Sequence, residues 1–302
     1  MALPQLNADT RVRAGVLDVA CHMAGPADGP AVLLMHGFPY DIHAYVDVAP
    51  MLAQAGCRVV VPYLRGYGGT RFLDAATPRS GEQAVLGADL LALLDALGMQ
   101  RAVLAGYDWG GRAACVVAAL WPERCAGLVT VNSYNLQHIA RAMVPDTPAN
   151  EQRLWYQYLF HSERGRAALT QDRRALCRLL WQLWSPTWAF DDATFERSAA
   201  AFDHPDFVDV VIHSYRHRFG LVPGDPAVAE VERRIATQPP ITVPTISFDG
   251  TADGVRPWEP AAAHAHRFTG PRQHRILPGI GHNLPQEAPR AFADAVLDLI
   301  RR

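Results

Sequence analysis

The chain has 302 residues, is 49% hydrophobic and carries a formal net charge of −2 with histidine neutral. That apolar content excludes a disordered chain and suits one large domain or a domain with an insertion. The near-zero charge excludes nucleic acid and an anionic membrane surface as partners.

In chain order, Arg11 to Met23 alternates loosely and predicts an antiparallel edge hairpin. Pro30 to Met35 is a continuous apolar run that ends at His36-Gly37-Phe38-Pro39. Further short apolar runs follow at Arg58 to Pro62, Ala102 to Gly106, Gly127 to Val131, Pro244 to Phe248 and His274 to Pro278. Short runs without alternation read as strands buried on both faces, as in a parallel sheet. Helical patterns lie between them at Ala44 to Ala55, Gly81 to Leu97 and Gly110 to Trp121, and a last one runs from Pro289 to Arg301. Together these predict an α/β fold. The alternation stops between about Tyr134 and Pro240, a stretch that reads as helical and holds Trp155, Trp181, Trp184 and Trp188. The expected division is therefore a core of residues 1–134 and 241–302 with a helical cap at 135–240.

Five scattered cysteines (Cys21, Cys57, Cys115, Cys125 and Cys177) show no metal-ligand spacing and fit a reducing compartment. No apolar run reaches the roughly 18 residues of a membrane span. The N-terminus, Met1 to Gln5, lacks a basic region followed by an apolar one. A cytoplasmic protein is expected, with no membrane or nucleic-acid partner and with a homodimer left open.

The richest segment is Gly106-Tyr107-Asp108-Trp109-Gly110-Gly111, which sits between a strand run and a helix pattern. That context fits a nucleophile elbow, with aspartate where serine is usual. A carboxylate displaces a leaving group from saturated carbon and becomes an ester of the enzyme. Epoxides and alkyl halides suit that step, whereas an esterase or a C–C bond hydrolase needs serine at position 108. The ester must then be hydrolysed by activated water. His282, in Gly281-His282-Asn283 after the last strand run, is the candidate base, while His264, His266 and His274 read as structural or solvated. A carboxylate must orient the base. Asp253, in the loop beyond its strand, is preferred to Asp249, which sits at the strand end and reads as a turn-fixing residue. The backbone N–H groups of Trp109 and Phe38 are the expected oxyanion donors; His36 and Gly37 are then structural, and a cis bond is expected at Pro39. No metal or organic cofactor is required.

The segments His36 to Pro39, Arg65-Gly66-Tyr67-Gly68, Asp108 to Gly111, Gly250 to Asp253 and Gly281-His282 resemble the epoxide hydrolase and dehalogenase group of α/β-hydrolases, in the family's order. The soluble epoxide hydrolases resemble the chain most. Their cap holds two tyrosines that bind and protonate the epoxide oxygen. Trp155-Tyr156-Gln157-Tyr158 is similar to the first tyrosine segment and Ser214-Tyr215-Arg216 to the second. The resemblance implies Tyr156 and Tyr215 in that role, with Tyr158 the rival of Tyr156. Haloalkane dehalogenases also place Trp after the nucleophile, as Trp109 here, but usually carry a halide donor where this chain has Phe38. Fluoroacetate dehalogenase shares the His-Gly-Phe-Pro segment and clamps a carboxylate with arginines one and four residues after the nucleophile. Arg112 fits the second of these; Trp109 replaces the first. A non-catalytic ligand-binding relative is the remaining alternative, disfavoured because Asp108, Asp253 and His282 are all present. Phe38, Trp109 and the cap tryptophans imply a pocket for a small apolar or aromatic epoxide, with water as second substrate.

Overall fold

The computed structural model describes residues 3–260 and 262–302. The chain opens with β1 (Thr10–Ala14) and β2 (Leu17–Ala24), then β3 (Ala31–Met35), α1 (Val48–Gln54), β4 (Arg58–Pro62), β5 (Arg71–Phe72) and α2 (Gln83–Ala96). Next come β6 (Ala102–Gly106), α3 (Asp108–Leu120) and β7 (Cys125–Val131). After the helical insertion, β8 (Thr245–Gly250), β9 (Arg272–Leu277) and two final helices close the chain.

The sheet order is β1-β2-β4-β3-β6-β7-β8-β9, with β5 paired to β2. From β4 onward every neighbouring pair is parallel, and β1 and β2 join antiparallel at one side. The expected hairpin thus forms, but β2 also pairs with β4, which leaves only β1 at the edge. β6 is buried at every residue and lies at the centre, between β3 and β7. Its run Ala-Val-Leu-Ala-Gly has apolar side chains for both faces and no polar alternation, which a central strand covered by helices requires. The chain reverses direction of winding on either side of β3 and β6, and their carboxyl ends define the crevice where such sheets bind ligands.

Between β7 and β8 the described chain forms helices and short 3-10 turns and no named strand. The insertion comprises α4 (Pro148–Arg153), α5 (Trp155–His161), α6 (Glu163–Gln171), α7 (Arg173–Trp184), α8 (Asp192–Ala199), α9 (Phe207–His217) and α10 (Ala229–Ala236). Its inner faces bury Phe160, Trp181, Trp184, Phe195, Phe202, Phe207 and Tyr215. Large rings gain most from leaving water, so this aromatic layer supplies much of the insertion's adhesion to the core. One polar tie is specific: the Trp181 indole N–H donates to the Pro39 carbonyl at 2.7 Å. The core is closed by α11 (Leu284–Glu287) and α12 (Pro289–Ile300).

Candidate active site

Asp108 begins α3, separated from the end of β6 by Tyr107 alone, and its φ is +48°. That left-handed conformation is uncommon for a residue with a Cβ and lifts the side chain out of the strand-to-helix corner. The corner is too tight for side chains beside it. A Cβ on Gly110 would lie 2.0 Å from the Met35 carbonyl oxygen, and one on Gly37 would lie 2.5 Å from the Asp108 Cβ. The Phe38 N–H donates to Asp108 Oδ1 at 2.8 Å. The Phe38–Pro39 peptide is cis. His36 is fully buried and accepts from the Leu64 N–H at 3.1 Å; burial drops its pKa to about 4, so it is a neutral buttress.

His282 reaches the site from the loop after β9. Its Nδ1 lies 2.9 Å from Asp253 Oδ2, and its Nε2 lies 3.7 Å from Asp108 Oδ2 with no hydrogen-bond partner. The second gap exceeds a hydrogen bond and leaves Nε2 facing the carboxylate across open space. Burial lowers the imidazole's pKa, but the Asp253 charge and hydrogen bond, with the Asp108 charge, outweigh it and hold it at about 10. Asp108 responds in the opposite sense. Burial raises its carboxyl, while His282, the Arg112 charge and the Phe38 N–H bring it below the ordinary value. Asp253 is likewise lowered, by His282 and the N–H groups of Arg256 and Val255 working against burial.

Asp253 is fixed from three sides. Val255 N–H and Arg256 N–H donate to Oδ1 at 2.7 and 3.1 Å, and Asn132 Nδ2 donates to Oδ2 at 3.1 Å. Asp249 faces elsewhere: it accepts from the Glu259 N–H at 3.2 Å and lies 3.4 Å from His274 Nε2. The His282 loop is tied as well. Ser185, just past α7, accepts from the His282 N–H at 3.0 Å, and Glu287 accepts from the Gly281 and Asn283 N–H groups at 2.7 and 3.1 Å. Asn132, Ser185 and Glu287 carry no motif, and sequence reading missed them. The one signal for Asn132 is its left-handed φ of +60°, which asparagine tolerates, and that is a structural observation.

Tyr156 on α5 and Tyr215 on α9 are both buried, with ring centroids 5.4 Å apart in an edge-to-face contact. Tyr215 packs 5.3 Å from the Phe38 ring and 6.1 Å from the Trp109 ring, so it stands directly above the elbow. The Tyr156 hydroxyl accepts from Gln157 Nε2 at 3.0 Å. Burial pushes Tyr156 up to about 12 and Tyr215 well above the ordinary phenol value, so both are neutral donors at pH 7. Tyr158 is turned outward, is 40% exposed and bonds to Glu151.

A cavity of about 470 Å³ opens beside Asp108 and His282 and is lined by Tyr156, Gln157, Arg112 and Arg218. This departs from the expected apolar, aromatic pocket. Phe38, Trp109 and Trp184 pack on one another and on Tyr215 or His282 with almost no exposed surface, so their rings form the bed beneath the site and do not line the open space. The free wall comes from residues 132–139 and from the loop that carries Arg256, Pro257, Glu259 and His264, segments with no motif in the sequence. His264, read as structural or solvated, pairs with Glu259 at 2.7 Å on this rim. Among the described residues no cluster of His, Cys, Asp or Glu is arranged to hold a metal.

A parallel-centred sheet carrying an acidic elbow, with a histidine facing it from the last loop, defines a hydrolase architecture. Residues 30–284 match the alpha/beta hydrolase fold family, and the chain belongs to it. The chain is 29% identical over 304 residues to epoxide hydrolase A of Mycobacterium tuberculosis, covering 92% of each. It superposes on a Klebsiella pneumoniae protein provisionally named an epoxide hydrolase with a TM-score of 0.95 and 47% identity, covering 97% of both chains. Epoxide hydrolase A of Mycobacterium thermoresistibile shares the fold at a TM-score of 0.71 and 24% identity over 97% of both chains.

Proposed function

We propose that the protein opens an epoxide to a vicinal diol in two steps, with Asp108 as nucleophile and the helical insertion as the cap over it. The observation that carries the reading is the pairing of an ionised elbow carboxylate with two buried neutral phenols above it. Ring opening needs both at once: an anion to attack carbon and an acid to receive the departing oxygen. Asp108 forms a C–O bond to a ring carbon as the ring C–O bond breaks, and Tyr156 and Tyr215 hold the oxygen and supply its proton. The product is a hydroxyalkyl ester of Asp108.

The second step depends on the charge change made by the first. In the resting site His282 is held protonated between two carboxylates. An imidazolium is no base. Esterification removes the Asp108 charge and with it part of what holds the proton, so His282 gives that proton up to the phenolate left by ring opening, and, oriented by Asp253, can take a proton from water only once an ester is present. Water attacks the ester carbonyl carbon, and the Phe38 and Trp109 N–H groups receive the charge that develops on the carbonyl oxygen. Collapse of that intermediate releases the diol and restores the carboxylate. The names of the Klebsiella and Mycobacterium tuberculosis relatives agree with this reading.

The test is the intact mass of His282→Gln after exposure to styrene oxide, an aliphatic epoxide, a haloalkane and fluoroacetate. Growth by the mass of a whole epoxide, abolished by also replacing Asp108, is the expected result. A gain equal to a halide substrate less hydrogen halide would overturn the epoxide reading in favour of a dehalogenase.

A further inference from the structure

Arg112 lies four residues beyond Asp108 on α3, about one helical turn away on the same face. It opens onto the cavity and makes no hydrogen bond or ion pair among the described residues; its Nε and Nη1 are buried without a partner. Across the cavity Arg218, just past α9, is only 6% exposed and has no carboxylate partner. Its guanidinium makes long bonds of 3.3–3.4 Å to Ser214 and lies 4.1 Å over the Tyr215 ring. The protein's other deeply buried arginine is treated quite differently: Arg65 grips Asp89 through two bonds of 2.6 and 2.7 Å.

A buried guanidinium without a counter-ion is costly, and folding normally supplies one. Among the described residues the carboxylate that acts on Arg112 is Asp108, which already faces the His282 imidazolium and loses its charge when it is esterified. Three cations, Arg112, Arg218 and His282, therefore surround two carboxylates, Asp108 and Asp253. Burial and mutual repulsion from Arg218 bring Arg112 down to about 10, so it still carries its charge at neutral pH. The cavity mouth adds Arg256 and Arg267 against Asp146 and Glu259, the latter engaged by His264.

Building on the epoxide hydrolase reading, we propose that the substrate is a small epoxide bearing a carboxylate, seated between Arg112 and Arg218 within a bond or two of the carbon that Asp108 attacks. The guanidinium fork accepts a planar carboxylate through two parallel N–H bonds. One helical turn between Arg112 and Asp108 sets the short span between anion and reacting carbon. The substrate carboxylate, bound between the two guanidinium groups and away from His282, keeps them paired after Asp108 is esterified.

The experiment compares glycidate with glycidamide, its neutral isostere, in wild type, Arg112→Met and Arg218→Met, and titrates glycerate against glyceramide by calorimetry in the same proteins. Wild type is expected to prefer glycidate in kcat/KM by at least 100-fold and to bind glycerate at least tenfold more tightly than glyceramide. Each variant should cut both preferences at least tenfold. Equal kcat/KM for the two epoxides, no glycerate binding, or a preference that survives in both variants would overturn the anion site while leaving epoxide hydrolysis intact. Selective glycerate binding with no diol from either epoxide would instead overturn the epoxide reading and leave the anion site standing. Should one variant fail to fold, the other and the wild-type glycerate titration still decide the matter.

Discussion

The cavity has two walls built on different principles. The core wall holds Asp108, Asp253 and His282 by backbone geometry: a left-handed residue at the sheet centre, N–H groups aimed at each carboxylate, and a loop tied by Ser185 and Glu287. The insertion wall holds Tyr156, Tyr215 and Arg218 largely by ring packing on Phe38, Trp109, Phe160 and Trp184. Backbone-directed bonds fix angles, as a nucleophile and its base require, whereas packed rings fix a surface and tolerate exchange of the groups they present. The difference teaches that the groups needing fixed angles, Asp108 and His282, sit where the backbone sets them, whereas the phenols that face them are set by packing.

The strongest way to break that division is to remove the proposed nucleophile. Asp108→Ala should lower kcat by roughly 10⁴-fold or more, as loss of a unit that forms the covalent bond does elsewhere. The fold should survive, because the residue is replaced at a strained left-handed position whose cost is only about 1–2 kcal/mol. Diol release measured at a rate near wild type, in a variant with an unchanged circular dichroism spectrum, would remove the chemistry from the core wall.

The insertion wall is probed through its phenols. Tyr215→Phe and Tyr156→Phe should each slow single-turnover ring opening by about 10²-fold, the usual worth of a positioned acid, with the other phenol sustaining the remainder. Tyr158→Phe, at an exposed position of the same helix as Tyr156, should stay within about twofold. Rapid-quench measurement of ester formation separates these from effects on hydrolysis. A large loss in Tyr158→Phe together with none in Tyr156→Phe would reverse the assignment of α5.

The same division explains what the sequence could reveal. The core strands and the elbow are legible because a central strand must be continuously apolar and the corner must have glycine where Met35 and Asp108 press on it. Asp253 could be favoured over Asp249 from loop freedom alone, and the two carboxylates do face different partners, His282 and His274. Asn132 and Ser185 were illegible because each acts across a long sequence separation, for example the 121 residues between Asn132 and Asp253. The mistaken apolar pocket has a physical origin too. Aromatic content in a sequence reports how much ring surface is buried, but not whether rings face a cavity or each other, and here they face each other.

The smallest expected effect is on stability, and it locates the charge coupling in the core wall. His282 is raised from 6.5 to about 10 in the folded protein. Its contribution is therefore complete below pH 6.5 and is lost as pH rises toward 10, because over that interval the folded state holds a proton that the unfolded state has released. Asp108 and Asp253, both lowered, act at the other end: their contribution is complete above the ordinary carboxylate value and is lost in acid. Other groups contribute over the same interval: Glu82, raised to about 7 by burial, is still releasing its proton at neutral pH, and the buried thiols Cys21 and Cys115, raised to about 12 and 11, keep protons that the unfolded chain releases around their ordinary value of 9.0. The difference between wild type and His282→Gln from pH 7 to 9 isolates the contribution of His282, a slope of up to about 1.4 kcal/mol per pH unit. Wild-type Tm should fall by several degrees more than that of the variant across this interval. The slope in His282→Gln should be the smaller one, since no group at that position gains or loses a proton. An equal slope in the two proteins would show that the two carboxylates do not hold the proton on His282, and the mechanism in which esterification releases the base would go with it.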